Sequence, residues 1–356
     1  MTARYTMITG GAGFIGTNLA ARLCAAGKQV LIYDNLSRPG VERNVEWLRS
    51  RYPGSIQVMI ADIRDIATLE EAVRNAEGIY HFAAQVAVTT SIEDPVDDFG
   101  VNLWGTFNLL EAIRGQATRP PLLFTSTNKV YGSLEDLSLN SGVKRYEPVR
   151  ETVRSEGVAE DRPLEFHSPY GCSKGAADQY VLDYCRIYGL PAVVFRMSCI
   201  YGQHQLGTED QGWVAHFLIQ GMNNNPITIY GDGKQVRDIL YVDDLMEAML
   251  LATEKIAYTR GRAFNMGGGP GNTISILELL DQIKRLTGRV PPIMGGAWRQ
   301  GDQRYYVSDT RKFKALTGWK PAVGTAQGIE RLYDWLAESQ RISVPQPDTR
   351  CERIAL

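Results

Sequence analysis

The sequence predicts an α/β fold: a doubly wound parallel sheet with a smaller α/β lobe. Three observations carry this. Short apolar strands alternate with helical patterns through the first half of the chain, as in a parallel sheet covered on both faces. A glycine-rich turn, TGGAGFIG, joins the first strand to the first helix. An acidic residue, Asp34, closes the second strand. At 356 residues the chain is long enough for one large domain with an appended lobe.

The elements follow in order. Tyr5–Thr9 is a short apolar run ending in glycines, and Phe14–Ala26 has helical spacing that stops at Gly27. Gln29–Tyr33, Ile56–Ala61 and Gly78–Ala83 predict the next three strands. Phe99–Arg114 predicts a helix with Phe99, Leu103, Phe107 and Leu110 on one face. Leu122–Ser126 and Ala192–Met197 predict strands on either side of a long helix, Tyr170–Tyr188. The stretch Leu134–His167 is polar and charged and breaks the rhythm; it is expected as an excursion near the mouth of the sheet. Later strands are expected at Pro226–Tyr230 and Arg262–Met266, and helices at Asp243–Thr253, Ile274–Thr287 and Thr325–Glu338. This pattern assigns 1–196 and 234–262 to the sheet domain and 197–233 and 263–340 to the lobe. Residues 341–356 are expected as a C-terminal tail, a surface arm.

Composition narrows the function. Lys+Arg number 38 against 40 Asp+Glu, so no basic excess points to a nucleic-acid partner. Cys24, Cys172, Cys185, Cys199 and Cys351 form no CxxC pair and read as reduced thiols, with no metal site. The N-terminal stretch lacks a signal-peptide pattern, and no apolar run approaches the roughly 20 residues that span a bilayer. A cytoplasmic protein with no membrane partner is expected.

The glycine turn carries chemistry. Gly10, Gly13 and Gly16 allow a tight turn, close backbone approach to a pyrophosphate, and close helix–strand packing. The helix N-terminus then offers free N–H groups to phosphates. Asp34 lies eighteen residues after Gly16, where a carboxylate accepts both ribose hydroxyls and repels a 2′-phosphate. This Rossmann-type pattern favours NAD over NADP, although Arg38 nearby keeps NADP open. The bland alternative is an aspartate capping a surface loop. Asp62 and Ile63, after the third strand, flank the adenine in this reading.

Tyr170 and Lys174 in YGCSK sit at i,i+4 near a helix start, on one face. An ammonium beside a phenol favours phenolate, so Tyr170 is expected to have a lowered pKa and to take a proton from a sugar hydroxyl. Thr127, at the end of the fifth strand, is placed to bond the same oxygen. The alternative for YxxxK is a solvated helix face. His81 reads as a core histidine, His167 as either a substrate contact or structural, and Cys172 as packing.

TGGAGFIG, Asp34, FAAQ, TST and YGCSK together resemble the extended short-chain dehydrogenase/reductase superfamily, over roughly residues 4–340. The resemblance implies that Thr127, Tyr170 and Lys174 are catalytic, and that Lys174 also bonds the nicotinamide ribose. It implies a cofactor set of Gly10, Gly13, Phe14, Ile15, Gly16, Asp34, Asn35, Asp62, Ile63, Ala83, Ala84 and Asn102 with Tyr170 and Lys174. Sugar-nucleotide dehydratases of this superfamily carry Asp-Glu after the catalytic threonine. Here Asn128 and Lys129 stand there, and neither supplies that carboxylate chemistry. The segments AAQVAVTTSIEDPVDDFGVN, STNKVYG, HSPYGCSKGAADQYVLDY, EDQGWVAHF and GDGKQVRD resemble the CDP-paratose/CDP-tyvelose 2-epimerase subgroup. That likeness implies an NAD-dependent nucleotide-sugar epimerase: carbon 2 of the sugar gives its hydride to NAD and receives it on the other face. A 4-epimerase of the same fold is the alternative, and a non-catalytic dinucleotide sensor a more remote one.

The expected substrate contacts are Gln85, Thr127, Asn128, Gln211, Gly212, Trp213, Arg237, Arg299 and Arg304. The arginines suit a diphosphate, with surface salt bridges as the alternative. Relatives often have Asn at the Cys199 position, so one polar sugar contact is missing. The resemblance also implies a homodimer or homotetramer pairing through Phe99–Arg114 and Tyr170–Tyr188, with Phe107, Leu110, Tyr180 and Tyr184 as apolar contacts.

Overall fold

A computed structural model describes residues 4–343. Its centre is a seven-stranded, wholly parallel sheet. The strand order is Ala263–Met266, Ala192–Met197, Leu122–Thr127, Ala76–His81, Tyr5–Thr9, Val30–Asp34, Ile56–Ile60. The chain order reverses beside Tyr5–Thr9, which leaves a crevice at the strands' C-terminal ends.

The strands are apolar on both faces because helices cover both. Successive residues point to opposite sides. Ile8, Ile32, Leu123, Val193 and Phe195 pack on one face, with Leu19 and Leu23 of the helix Phe14–Ala25 and Leu245 and Met249 of the helix Val242–Glu254. Met7, Leu31, Tyr33, Ile79, Leu122, Phe124 and Val194 pack on the other, with Leu69, Leu109, Ile113, Ala177 and Val181 of three further helices.

The expected helix Phe99–Arg114 is three pieces: Pro95–Phe99, a π-helical turn Gly100–Trp104, and Gly105–Arg114. The expected apolar face does not form, since Phe99 is 53 % exposed and Leu110 fully buried. A π turn widens the helix by one residue and rotates the residues after it. The buried line at the start is polar instead: Asp98, Asn102 and Thr106.

The lobe is built on small sheets. Val236–Tyr241 pairs with Cys199–Tyr201, Thr273–Ser275 and Tyr305–Tyr306, and Ile227–Tyr230 pairs with Ile293–Gly296. The helix Ile276–Thr287 starts on a capping box, Ser275 with Glu278. Two segments fall on the other side of the boundary expected from the sequence, one of them, Val236–Tyr241, a strand that the sequence reading did not mark. Ala263–Met266 is the outer strand of the large sheet, and Val236–Tyr241 is central in the small one. Local apolarity marks a strand, but pairing with Ala192–Met197 is a long-range choice. The excursion Leu134–His167 contains a hairpin, Leu139–Ser141 with Tyr146–Pro148, and a helix, Glu151–Glu156. It packs through Leu137, Leu139 and Val153 on Val236, Tyr305 and Val307 and lines no part of the crevice.

The final helix runs Thr325–Ser343, longer than expected. The tail from Val344 and Cys351 lie outside the described residues. Among the described residues no helix is long and apolar enough to cross a membrane, and no cluster of metal-ligating side chains forms.

Candidate active site

A cavity of about 740 Å³ fills the crevice between the strand ends and the lobe. Its floor is the glycine turn. A Cβ on Gly10 would sit 2.6 Å from the Ala83 nitrogen, and one on Gly16 would sit 2.5 Å from the Gly10 carbonyl oxygen. Backbone cannot yield there, so both must be glycine. Gly13 differs: its Cβ would meet only the Gly10 carbonyl, at 3.3 Å, and its open side lines the cavity. The helix that begins at Phe14 has no side-chain cap and no acidic residue in its first turn. Its free N–H groups, at Phe14, Ile15 and Gly16, line the cavity and suit a pyrophosphate.

Asp34 stands at the end of the second strand. Its carboxylate accepts the backbone N–H of Ala12 at 3.0 Å and of Leu36 at 2.8 Å, which fixes it at the cavity edge. Burial raises its pKa, and these two bonds and Arg38 oppose that. Asn35, Asp62, Ile63, Ala83 and Ala84 line the same end. The Arg64 guanidinium grips Asp62 and holds its carboxyl down at about 2. Arg38 reaches across the cleft and donates to the Gln211 side chain of the lobe. This end therefore fits a dinucleotide: free helix N–H groups for phosphates and a carboxylate for ribose.

Thr127, Tyr170 and Lys174 converge on the cavity wall, all three buried. The strand Leu122–Thr127 ends there, and the helix Ser168–Tyr188 starts there with a proline in its first turn. The Thr127 hydroxyl bonds the Tyr170 phenol and lowers its pKa, but burial outweighs this and pushes it up to about 12. The expected lowering is thus reversed in the chain alone. A phenolate loses more solvation at this depth than its neighbours return. Burial also lowers Lys174, to about 7, opposed by Asp178 and Asp98. Its ammonium lies 4.3 Å from the Phe124 ring centroid.

A line of hydrogen bonds runs behind these groups. Ser173 donates to Asp98 at 2.5 Å, and Asn102 donates to Asp98 at 3.0 Å. Thr106 donates to the Asn102 carbonyl at 2.6 Å, so its oxygen accepts from His81 Nε2 at 3.0 Å. His81 Nδ1 then accepts from Thr9 at 2.6 Å, and Thr9 accepts from the Ala83 N–H at 3.3 Å. Burial lowers His81 to about 3, so it is a neutral core histidine. Asn102 belongs to this line and does not line the cavity, contrary to expectation.

Beyond Thr127 the cavity is lined mostly by long side chains. Asn128 donates to Gln303 at 2.9 Å, and Gln303 to the Gly132 carbonyl at 2.6 Å. Lys129 Nζ donates to the Gly301 carbonyl at 3.0 Å. Arg237 donates to Asp302 at 2.6 Å. Arg299 lies 3.9 Å from the Tyr230 ring centroid and pairs with Asp210 at 3.3 Å. Gln85, Gln211, Gly212 and Trp213 also face the cavity, with the Trp213 indole donating to Cys199 Sγ at 3.4 Å. Arg304 does not line it. Its guanidinium lies instead over the rings of Trp298 and Tyr146. His167 is outside too, bonded to Glu165 at 3.1 Å. Sequence reading missed Asp98, Lys129, Gln303 and the Arg38–Gln211 bridge. Only Lys129 had a signal, as the residue two places after Thr127.

The model of the NAD dependent epimerase/dehydratase family matches residues 6–267. The chain is 41 % identical over 336 residues to a CDP-paratose 2-epimerase of Salmonella typhi, covering 92 % of this chain and 98 % of that one. It is 31 % identical to a UDP-glucose 4-epimerase of Mycolicibacterium smegmatis, covering 93 % and 97 %. In structure it is similar to the UDP-glucuronic acid 4-epimerase of Bacillus cereus, solved with UDP-glucuronic acid and NAD: TM-score 0.80, 27 % identity, covering 94 % and 99 %. With a glycine turn, Asp34 and a Thr–Tyr–Lys cluster around one cavity, the chain belongs to the NAD dependent epimerase/dehydratase family, as an NAD-using epimerase.

Proposed function

We propose that the chain inverts carbon 2 of a CDP-deoxyhexose of the CDP-paratose/CDP-tyvelose type. The observation that carries this reading is the pair Asn128-Lys129 beside Thr127 and Tyr170, in a chain whose likeness to a 2-epimerase spans nearly its whole length. The site has groups for moving one hydroxyl proton, and the two positions after Thr127 carry an amide and an ammonium in place of carboxylates.

NAD, when bound, supplies a reversible acceptor for the carbon 2 hydride, and its oxidised ring adds a positive charge that favours phenolate. Tyr170 takes the carbon 2 hydroxyl proton, and Thr127 bonds the same oxygen. Lys174 would hold the nicotinamide ribose, and its charged form stabilises the Tyr170 phenolate. Gly10, Gly13, Phe14, Ile15 and Gly16 cradle the pyrophosphate, and Asp34 binds the adenosine ribose. Arg237 and Arg299 take the substrate diphosphate, and Gln85, Asn128, Gln211, Gly212 and Trp213 border the sugar and base. The ketone must turn its other face before reduction.

The chain also pairs with itself in this reading. Phe99, Trp104, Tyr180, Ile187 and Tyr188 expose apolar surface on the two expected helices, and Val96 does so just before the first. Leu110 and Tyr184 face inward instead. Light scattering of a monomer at micromolar concentration would overturn the pairing.

An isotope experiment tests the reaction. CDP-tyvelose deuterated at carbon 2 should keep its label through epimerisation in ordinary water, because the hydrogen never becomes a proton. Loss of the label to solvent, or turnover of UDP-glucose at carbon 4 instead, would reject the carbon 2 reading.

A further inference from the structure

We propose that Lys129 anchors the phosphoryl group borne by carbon 1 of the sugar, and so sets carbon 2 rather than carbon 4 against Tyr170. This rests on the carbon 2 reading above and names how the site enforces it.

Lys129 sits in the same turn as Thr127, whose hydroxyl accepts the Lys129 backbone N–H at 3.2 Å. The side chain lines the cavity. Its ammonium has three donors and makes one hydrogen bond among the described residues, to the Gly301 carbonyl. It forms no ion pair among them. The adjacent carboxylate, Asp302, is already engaged by Arg237. Burial and the Arg237 charge beside it lower Lys129 to about 8. Two cations, one from the strand end and one from the lobe, thus meet at one part of the cavity with a single carboxylate between them. An anion there relieves both.

The covalent geometry of a sugar nucleotide decides which anion. Carbon 2 is bonded to carbon 1, which carries the glycosyl oxygen and then the β-phosphorus. When the carbon 2 hydroxyl lies on Thr127 and Tyr170, the β-phosphoryl oxygens come within reach of the same turn. When the carbon 4 hydroxyl lies there, the whole ring stands between. A cation two residues from Thr127 therefore rewards the first pose and not the second. Dehydratases place a carboxylate at this position, and a carboxylate there would repel the phosphoryl group.

The test uses NAD-loaded protein and two probes, CDP and CMP, titrated by calorimetry. Only CDP carries the β-phosphoryl group. Lys129→Met should weaken CDP by about 10–100-fold, the worth of one hydrogen bond between charged groups, and leave CMP unchanged. Lys129→Arg should recover most of the CDP affinity. Equal losses for CDP and CMP would mean that Lys129 only straps Gly301, and unchanged CDP binding would mean that it touches no β-phosphoryl group; either overturns the proposal. CMP binding by the variant also certifies that it folds. Running UDP and UMP alongside separates this from an error in the base, since a wrong base silences one pair and leaves the comparison to the other. An error in the carbon appears in the isotope experiment, which uses the unaltered protein.

Discussion

The two ends of the cavity are made of different material. The cofactor end is mostly backbone: an uncapped helix start, a glycine, Gly10, too close to Ala83 for any side chain, and one carboxylate pinned by two N–H groups. The sugar end is mostly long side chains held in pairs across loops, such as Arg237 with Asp302 and Arg299 with Asp210. A backbone seat is rigid and accepts one shape. A seat of paired side chains is re-specified by single substitutions while the fold stays the same. One family can thus keep its cofactor and change its sugar.

The largest effect should fall at the seam between the two ends. Tyr170→Phe keeps the ring and removes the hydroxyl, so turnover should drop by about 10²–10⁴-fold, the usual worth of general acid–base catalysis. NAD content, measured by mass spectrometry of the denatured protein, should be unchanged. Near-normal turnover would show that another group moves the proton.

The contrast itself is sharpened by a glycine. Gly16→Ala drives a methyl group against the Gly10 carbonyl and the Gly11 backbone, neither of which can move aside. We expect a cost of about 1–3 kcal/mol from overpacking, seen as lost NAD retention and a lower melting temperature together. Retained NAD would mean that the turn deforms more easily than its contacts allow.

The smallest effect belongs to the sugar end. Arg299→Gln removes a part-exposed cation whose pairs with Asp210 and Glu209 are each worth about 0–1 kcal/mol. The Michaelis constant should rise by a few-fold with kcat unchanged, and NAD content should stay the same. A fall in kcat would assign Arg299 to the reacting sugar and not to its anchor.

The same difference in material explains what was legible in the sequence. The glycine turn, Asp34 and the Tyr170–Lys174 pair act through spacing along one or two elements, and spacing is written in the chain. Asn102 and Arg304 look the same in sequence whether they face a ligand or a neighbour. Packing decided otherwise: Asn102 serves Asp98, and Arg304 lies on Trp298 and Tyr146. Gln303 and the Arg38–Gln211 bridge depend on two loops far apart in sequence, so no local pattern announces them. The outer strand Ala263–Met266 was recognisable as a strand, but its sheet was not, because pairing partners are chosen over long range. The Tyr170 pKa shows a further limit. An i,i+4 cation predicts its sign only if both groups stay wet, and here both are dry.

The π turn at Gly100–Trp104 has a mechanical meaning. Four residues overshoot one turn of an α-helix, so a ladder of every fourth residue drifts around it. A widened turn takes up that drift, and Asp98, Asn102 and Thr106 stay in file. The file joins Ser173, on the helix that carries Tyr170, to His81 on the neighbouring strand and Thr9 on the strand that leads into the glycine turn. Apolar contacts resist separation but let surfaces slide. Hydrogen bonds have a fixed length and direction, and a continuous file of them acts as a gauge block. It sets the gap between the wall that handles the proton and the floor that holds the cofactor, and it does so from outside the cavity. In the proposed reaction the sugar turns over within that gap while the gap itself keeps its width.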